Sequence, residues 1–202
     1  MSIYGLKPRF QALLRPLAGG LYRAGITANQ VTVAACVVSV ALGALLCFAI
    51  ENHALFLLVP AWFFVRMAFN AIDGMLAREF GQASVLGAYL NELTDVISDA
   101  ALYLPFAFLP GSSPTLVWAV IALSIISEYA GVIGQAVGRE RRYDGPMGKS
   151  DRAFIFGLLG LLVGLGIGFA PLLPWVWAAL ALLIAATIVN RVRRGLAAPQ
   201  KS

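Results

Sequence analysis

Six polar or ionisable side chains recur at helical spacing in two largely apolar stretches of the sequence. They are Arg66, Asn70, Asp73, Asn91, Asp95 and Asp99. Asn70 follows Arg66 by four residues and Asp73 follows Asn70 by three. Asn91, Asp95 and Asp99 are spaced four residues apart. Each set of three therefore lies on one face of a helix. Ionisable groups are costly inside a lipid bilayer, so these residues are candidates for a functional site.

The oxygen atoms of these two faces predict a site for a hard divalent cation. A short turn near Gly81 joins the two stretches, so they run antiparallel and bring Asp73 and Asp95 to a similar depth. Carboxylates crowded in this way repel one another unless a cation lies between them. Oxygen ligands without Cys or His are typical of Mg²⁺ or Mn²⁺ rather than zinc. Small residues that leave room for a ligand are Gly74, Ala77, Gly87 and Ala88.

Ion pairs that hold the helices together are the alternative interpretation. The candidate partners of Arg66 are Asp95, Asp99 and Glu128. Ion pairing explains poorly why acidic residues and glycines cluster at one depth, so a functional cluster is favoured for the acidic residues. For Arg66 and Glu128 both interpretations stay open.

The composition indicates that these residues lie in an integral membrane protein. Hydrophobic residues make up 60% of the 202 residues and charged residues 12%, against about half and about a quarter in a soluble domain. Stretches long enough to span a bilayer as helices are 28–50, 54–80, 83–109, 115–137, 153–169 and 172–192. We therefore expect an all-α membrane protein, a single domain over 1–202 with a bundle of six transmembrane helices at 28–192.

Residues 1–23 are predicted to form an amphipathic interfacial helix and a linker. Apolar residues from Ile3 to Leu17 recur at helical spacing, with basic residues between them, as in helices that lie in a membrane surface. A simple basic tail is the alternative. Pro8, Pro16 and the basic residues argue against a cleavable signal peptide.

The basic residues predict the orientation in the membrane. Apart from Arg66, every Lys and Arg falls in the N-terminal segment, at Arg78, between Arg139 and Arg152, or from Arg191 onward. With six spans these segments share one side, which the positive-inside rule places in the cytoplasm. Both termini and the polar site are expected on the cytoplasmic side of the plasma (inner) membrane. The net charge of +5 suits anionic membrane lipids, and a nucleic-acid partner is not expected.

The polar residues also fit a spaced motif, D-x-x-D-G-x-x-A-R, then eight residues, then G-x-x-x-D-x-x-x-D. The chain reads NAIDGMLAR from Asn70 and GAYLNELTD from Gly87, with eight residues between them. In this motif, in residues 25–32 and in the six-helix layout, the sequence resembles the CDP-alcohol phosphotransferases over nearly its whole length.

The resemblance implies a metal-dependent enzyme that transfers a phosphatidyl group from CDP-diacylglycerol to a small polar alcohol and releases CMP. It implies that Asp95 is the base that takes the proton of the acceptor hydroxyl, and that the protein is a homodimer. The motif positions of the metal ligands for Mg²⁺ or Mn²⁺ are Asn70, Asp73, Asn91 and Asp95, and Asp99, on the same helix face as Asp95, is a further candidate ligand. The nucleotide and pyrophosphate pocket would contain Gly74, Ala77, Arg78 and Gly87, with Asn29 and Thr32 near the cytidine.

Two positions depart from the motif, because Asn70 and Asn91 replace aspartates. An amide oxygen can coordinate a metal but brings no charge, so metal affinity should fall or a single metal site should fill. Glu92 and Asp99 could compensate. The alternatives are a degenerate protein that binds a lipid or nucleotide without turnover, and a transporter that uses the acidic cluster for ion coupling.

The basic loop before residue 153 predicts a phosphorylated acceptor such as glycerol 3-phosphate or inositol phosphate, because cations at a pocket mouth bind phosphate. Gly148 and Lys149 resemble a pair in phosphatidylglycerophosphate synthases, although the next three residues depart from that group. Lys149 and Arg152 are the candidate contacts of the acceptor. The same residues also fit a simple positive-inside signal, so both interpretations stay open.

Overall fold

The computed structural model describes residues 6–198, and these form seven α-helices and no strand. The helices are α1 (Leu6–Arg23), α2 (Ala28–Phe48), α3 (Leu58–Glu79), α4 (Val85–Tyr103), α5 (Pro114–Ala136), α6 (Lys149–Gly164) and α7 (Leu173–Ala197). Short 3₁₀ turns lie at His53–Leu57, Leu104–Phe108 and Ala170–Leu172. The all-α prediction is therefore confirmed. Ile3, at the start of the predicted surface helix, lies outside the described residues.

Four helical segments are long and apolar enough to cross a membrane. They are Ala28–Phe48, His53–Glu79, Pro114–Ala136 and Ala170–Ala197. α4 carries three carboxylates, and α6 has 16 residues, so neither matches a continuous apolar span of about 20 residues. The predicted span at 153–169 differs from α6 because Gly166, with a φ of +69°, lies in the turn that follows the helix. The count of six spans remains a prediction.

The apolar core lies toward the end of the bundle away from the α3–α4 turn. Tyr103 stacks on Phe156 with ring centroids 3.7 Å apart, and Phe106 and Trp177 pack against the same Phe156 ring. These aromatic side chains are fully buried. They join the end of α4, the middle of α6 and the start of α7, and the polar residues lie further toward the α3–α4 turn.

Helices α2 and α4 cross closely, and this crossing positions the predicted site. A Cβ atom at Gly43 would lie 2.2 Å from the carbonyl oxygen of Ala101, so the two backbones meet where a side chain could not fit. Because the helices stay adjacent, the first turn of α2 lies beside the first turn of α4.

The turn between α3 and α4 also contacts the start of α2. Gly81 adopts a φ of +69°, which favours glycine. Ser84 caps α4 by accepting a hydrogen bond from the Gly87 N–H (2.9 Å). The side-chain oxygen of Gln82 accepts a hydrogen bond from the Ala28 N–H (2.7 Å). The starts of α2 and α4 and the end of α3 are thereby fixed together.

Candidate active site

Asp73 lies on α3 facing the first turn of α2. It is 6% exposed, and its Oδ2 accepts a hydrogen bond from the Thr32 hydroxyl (2.8 Å). A buried carboxylate needs hydrogen bonds or a nearby cation to remain charged. Thr32, predicted to lie near the cytidine, therefore contacts the carboxylate predicted to bind metal.

Asp95 on α4 is contacted by cations from two other helices. The Arg66 guanidinium lies 3.1 Å from Oδ1, and the Lys149 ammonium contacts Oδ2. Helices α3, α4 and α6 thus meet at Asp95 through Arg66 and Lys149, and Asp73 lies about two turns after Arg66 on α3.

The two motif glycines make room for two other predicted site residues. A Cβ atom at Gly74 would lie 2.7 Å from an Nη atom of Arg78, and a Cβ atom at Gly87 would lie 2.8 Å from the Asn29 Oδ1. Both distances are shorter than van der Waals contact allows. The structure therefore brings Arg78 over Gly74 and Asn29 over Gly87, within the predicted nucleotide pocket.

The remaining motif residues follow the helical spacing. Asn70 lines a groove together with Arg66 and Lys149. Asn91 lies one turn before Asp95 on α4 and is partly exposed, and Ala77 lies about one turn after Asp73 on α3.

Asp99 is one turn further along α4, where it joins an ion-pair network. Its Oδ1 lies 2.5 Å from Arg66 Nη1, and its Oδ2 lies 3.6 Å from Arg152 Nη2. Arg152, predicted to contact the acceptor, is buried and also pairs with Glu128 at 2.9 Å. Ion pairing thus accounts for the positions of Arg66 and Glu128, which the sequence left open.

Glu128 is the centre of the second half of this network. Besides Arg152, its carboxylate contacts Arg141 at 3.2 Å and Arg191 at 3.4 Å, and Arg141 also contacts Glu92. From the sequence, Arg141 is expected only as one of the cations of the basic loop before residue 153, and Arg191 only as part of the C-terminal basic segment. For Arg191 a signal was present, because Thr187 and Arg191 are four residues apart and share one face of the last span.

The loop before α6 is hydrogen-bonded to α7. This contact fixes the position of Lys149, the first residue of α6. The Met147 N–H donates to Thr187 Oγ1 (2.9 Å). Gly145 has a φ of +131°, and a Cβ atom there would lie 2.5 Å from Thr187 Cγ2. Asp151 accepts a hydrogen bond from the Gly148 N–H (2.9 Å) and caps the helix.

A groove of about 590 Å³ runs between α3 and α6. Its apolar lining residues are Pro60, Phe63, Phe64, Met67, Ala153, Phe154, Gly157, Leu158 and Leu161. Its polar lining residues, Arg66, Asn70, Lys149 and Ser150, belong to the end near Asp95, because α3 and α6 run in opposite directions. Such a groove suits an amphiphile whose polar group lies at Asp95 and Lys149.

Outside the helical bundle core, the loop carboxylate of Asp144 is held by two arginines. Arg142 lies 2.7 Å from it and Arg194 2.8 Å. Burial alone would raise the pKa of Asp144, but hydrogen bonds and charge from Arg194 and Arg142 outweigh burial and lower the pKa. The Asp144 carboxylate is therefore ionised at neutral pH, and it pairs with Arg142 and Arg194.

The oxygen atoms near Asp73 and Asp95 are of the type that a hard divalent cation prefers. The two carboxylates bring negative charge, and the amides of Asn70 and Asn91 offer neutral oxygen ligands. Within residues 6–198, no three Asp, Glu, His or Cys side chains are grouped so as to hold a metal.

Comparisons with known proteins agree with the geometry. Residues 25–192 match the sequence model described as CDP-alcohol phosphatidyltransferase. The inner membrane protein YnbA of Escherichia coli (strain K12) is 47% identical over 196 residues, 96% of each chain. The phosphatidylinositol phosphate synthase of Mycobacterium tuberculosis (strain ATCC 25618 / H37Rv) is 31% identical over 192 residues, 92% of this chain and 85% of the relative.

Crystal structures of the Mycobacterium tuberculosis synthase share this fold. The one with CDP-DAG bound has a TM-score of 0.76 and 26% identity, covering 91% of this chain and 94% of the other. The one in complex with manganese and citrate has a TM-score of 0.73 and 28% identity, covering 91% and 89%.

Proposed function

This chain belongs to the CDP-alcohol phosphatidyltransferase family, a family of enzymes, and from that premise we propose that it transfers the phosphatidyl group of CDP-diacylglycerol to a small phosphorylated alcohol. The observation that carries the proposal is the contact between Asp95 and Lys149, because Lys149 lies at the polar end of the apolar groove. The groove would hold acyl chains, and the polar end would hold the pyrophosphate.

The chain's own residues supply the proton transfer and the alignment. The acceptor oxygen forms a bond to the phosphatidyl phosphorus, and the bond between that phosphorus and the CMP oxygen breaks, so CMP leaves with the electron pair. Asp95 takes the proton of the acceptor hydroxyl. Because the Lys149 ammonium contacts Oδ2 of Asp95, Lys149 has to move to the substrate phosphates before that oxygen can accept a proton.

A bound Mg²⁺ or Mn²⁺ would neutralise charge on the pyrophosphate and on the leaving CMP. We propose that Asn70, Asp73, Asn91 and Asp95 hold it. The manganese complex of the Mycobacterium tuberculosis synthase supports a divalent cation in this fold. We assign Asp99 to the ion-pair network instead, because both of its oxygens face guanidinium groups.

A phosphorylated acceptor is supported by the basic side chains that gather at this end of the bundle. Glu128 is shared by three arginines, and Lys149 adds a further positive charge at Asp95. The relative in Mycobacterium tuberculosis is a phosphatidylinositol phosphate synthase, whose name specifies a product with an additional phosphate. Inositol phosphate and glycerol 3-phosphate are therefore the acceptors to test first.

We further propose that α2–α7 are six spans, with α1 on the membrane surface and the site and both termini in the cytoplasm. The polar face of α4 would then point into the bundle rather than into lipid. The name of the Escherichia coli relative supports an inner membrane location. A homodimer is proposed by analogy with the family alone.

The test is release of CMP by the purified protein in detergent. CDP-diacylglycerol is supplied with Mg²⁺ or Mn²⁺ and with inositol phosphate, glycerol 3-phosphate, inositol or glycerol, and the lipid product is identified by mass. We expect metal-dependent release with a phosphorylated acceptor and none from Asp95→Asn. Equal release from Asp95→Asn would refute the proposed base. Binding of CDP-diacylglycerol without CMP release for any acceptor would instead support a binding protein.

A further inference from the structure

We propose that Lys149 is a tethered cation that takes the place of a second divalent ion at Asp95, so that this site binds a single metal ion. The inference deepens the proposed function and rests on it for the identity of the site. It concerns how the positive charge at the pyrophosphate is divided between a metal ion and a side chain.

Both oxygens of the Asp95 carboxylate are already contacted by cations. Oδ1 is contacted by Arg66 at 3.1 Å, and Oδ2 is contacted by Lys149. A metal ion that used Oδ2 as a ligand would have to displace the Lys149 ammonium. A site built for two ions would be expected to leave such an oxygen free of a competing side-chain cation.

The negative charge of the metal site also favours a single ion. Asn70 and Asn91 replace two carboxylates of the motif, so the site keeps Asp73 and Asp95. Two carboxylates balance one divalent ion, whereas a second ion placed among them would be poorly neutralised in a partly buried site. A singly charged ammonium adds positive charge for the pyrophosphate at a smaller electrostatic cost.

Lys149 and Arg66 differ in how firmly their side chains are held. Arg66 is buried and also binds Asp99 at 2.5 Å, so it is fixed in the network. The Lys149 side chain is 27% exposed and lines the groove. Its ammonium can therefore leave Asp95 when phosphate enters, while the Arg66 guanidinium stays.

The backbone of Lys149 is held in place at the start of α6. The residue is the first of α6, directly after the capped Gly148, and the preceding Met147 is fastened to Thr187. The backbone is therefore held while the long side chain reaches across to α4. This anchoring keeps the ammonium near the site in either position, as a tethered counter-ion requires.

The experiment measures Mn²⁺ binding directly, by electron paramagnetic resonance titration of full-length protein in detergent without any substrate. The variants are Lys149→Met, which removes the charge at similar length, and a triple variant with Lys149→Met, Asn70→Asp and Asn91→Asp. The control is Arg193→Gln, which removes one exposed basic charge near the end of α7. Gel filtration and thermal unfolding establish that each variant is folded.

We expect one Mn²⁺ per chain in the wild type and in Arg193→Gln, with equal affinity. Lys149→Met should also bind one ion, but roughly tenfold more tightly, because a competing cation is removed. The triple variant should bind two. The proposal is overturned if the wild type binds two ions, if Lys149→Met does not bind Mn²⁺ more tightly, if the triple variant still binds one, or if none of the proteins binds Mn²⁺.

A failure of this inference is distinguishable from a failure of the proposed function. Mn²⁺ binding that follows the expected pattern without CMP release from any acceptor would leave the tethered cation standing and remove the enzyme assignment. CMP release with unchanged Mn²⁺ affinity in Lys149→Met would do the opposite.

Discussion

Replacement of Glu128 by Gln tests whether the buried ion-pair network holds the helices together. Glu128 lies on α5, and its carboxylate contacts Arg152 of α6 at 2.9 Å, Arg141 of the following loop at 3.2 Å and Arg191 of α7 at 3.4 Å. The Glu128→Gln change keeps the shape of the side chain and removes its charge. Three guanidinium groups then converge on a neutral amide.

The expected loss follows from the remaining partners. Removing one partner of a buried ion pair costs about 3–5 kcal/mol, because a charge is left uncompensated. Arg152 keeps Asp99 at 3.6 Å and Arg141 keeps Glu92. We therefore expect the free energy of unfolding to fall by about 3 kcal/mol, the lower end of that range.

The assay is unfolding in mixed micelles of native and denaturing detergent, followed by tryptophan fluorescence. Glu92→Gln is the matched control, because Glu92 contacts Arg141 and its side chain is 31% exposed, against 8% for Glu128. Its loss should stay below about 1 kcal/mol. Equal losses in the two variants would refute the network argument. A Glu128→Gln protein of unchanged stability that releases no CMP would show instead that Glu128 acts in catalysis.

Three further changes probe other parts of the molecule. Gly87→Ala places a methyl group 2.8 Å from an oxygen of Asn29, so kcat/KM for CDP-diacylglycerol should fall by about tenfold to a hundredfold. Thr32→Val removes the hydroxyl that donates to Asp73, and the free energy of unfolding should fall by about 1.5–3 kcal/mol. The pKa of Asp144 is lowered from 3.8, so the stability that wild type gains over Asp144→Asn should be full at neutral pH and disappear as the pH falls below 3.8.

Each of these changes has a control or a contradicting result. Gly20→Ala adds a methyl group where nothing lies within 4 Å, and it should leave kcat/KM unchanged. Thr32→Ser keeps the hydroxyl and should retain most of the stability. For Asp144→Asn, a stability difference that grows as the pH falls would contradict the sign of the pKa shift.

Helical spacing predicted which polar residues share a face, because the position of a side chain around a helix depends on local geometry. Asn70 with Asp73 on α3, and Asn91 with Asp95 on α4, follow it. The motif glycines were predicted to leave room for a helix or a ligand, and the structure places the side chains of Arg78 and Asn29 against them.

The pairing between helices could not be predicted in the same way. Asp99 shares its helix face with Asp95 and was a candidate partner of Arg66, as the structure shows, but its pairing with Arg152 had no signal in the sequence. Its partner depends on how α3 and α6 dock against α4, and that docking depends on packing in the distant aromatic core. The contact of Lys149 with Asp95 is hidden from the sequence for the same reason.

The network also explains why a divalent cation should bind at Asp73 first. Asp95, Asp99 and Glu128 each contact at least two cationic side chains, so a metal ion gains little there unless it displaces one of them. Asp73 accepts its hydrogen bond from the neutral Thr32, and its charge is therefore less compensated. A divalent cation held at Asp73 would repel the Lys149 ammonium from Asp95, and a pyrophosphate would attract that ammonium. Metal and lipid nucleotide should then bind cooperatively, each making the site more favourable for the other.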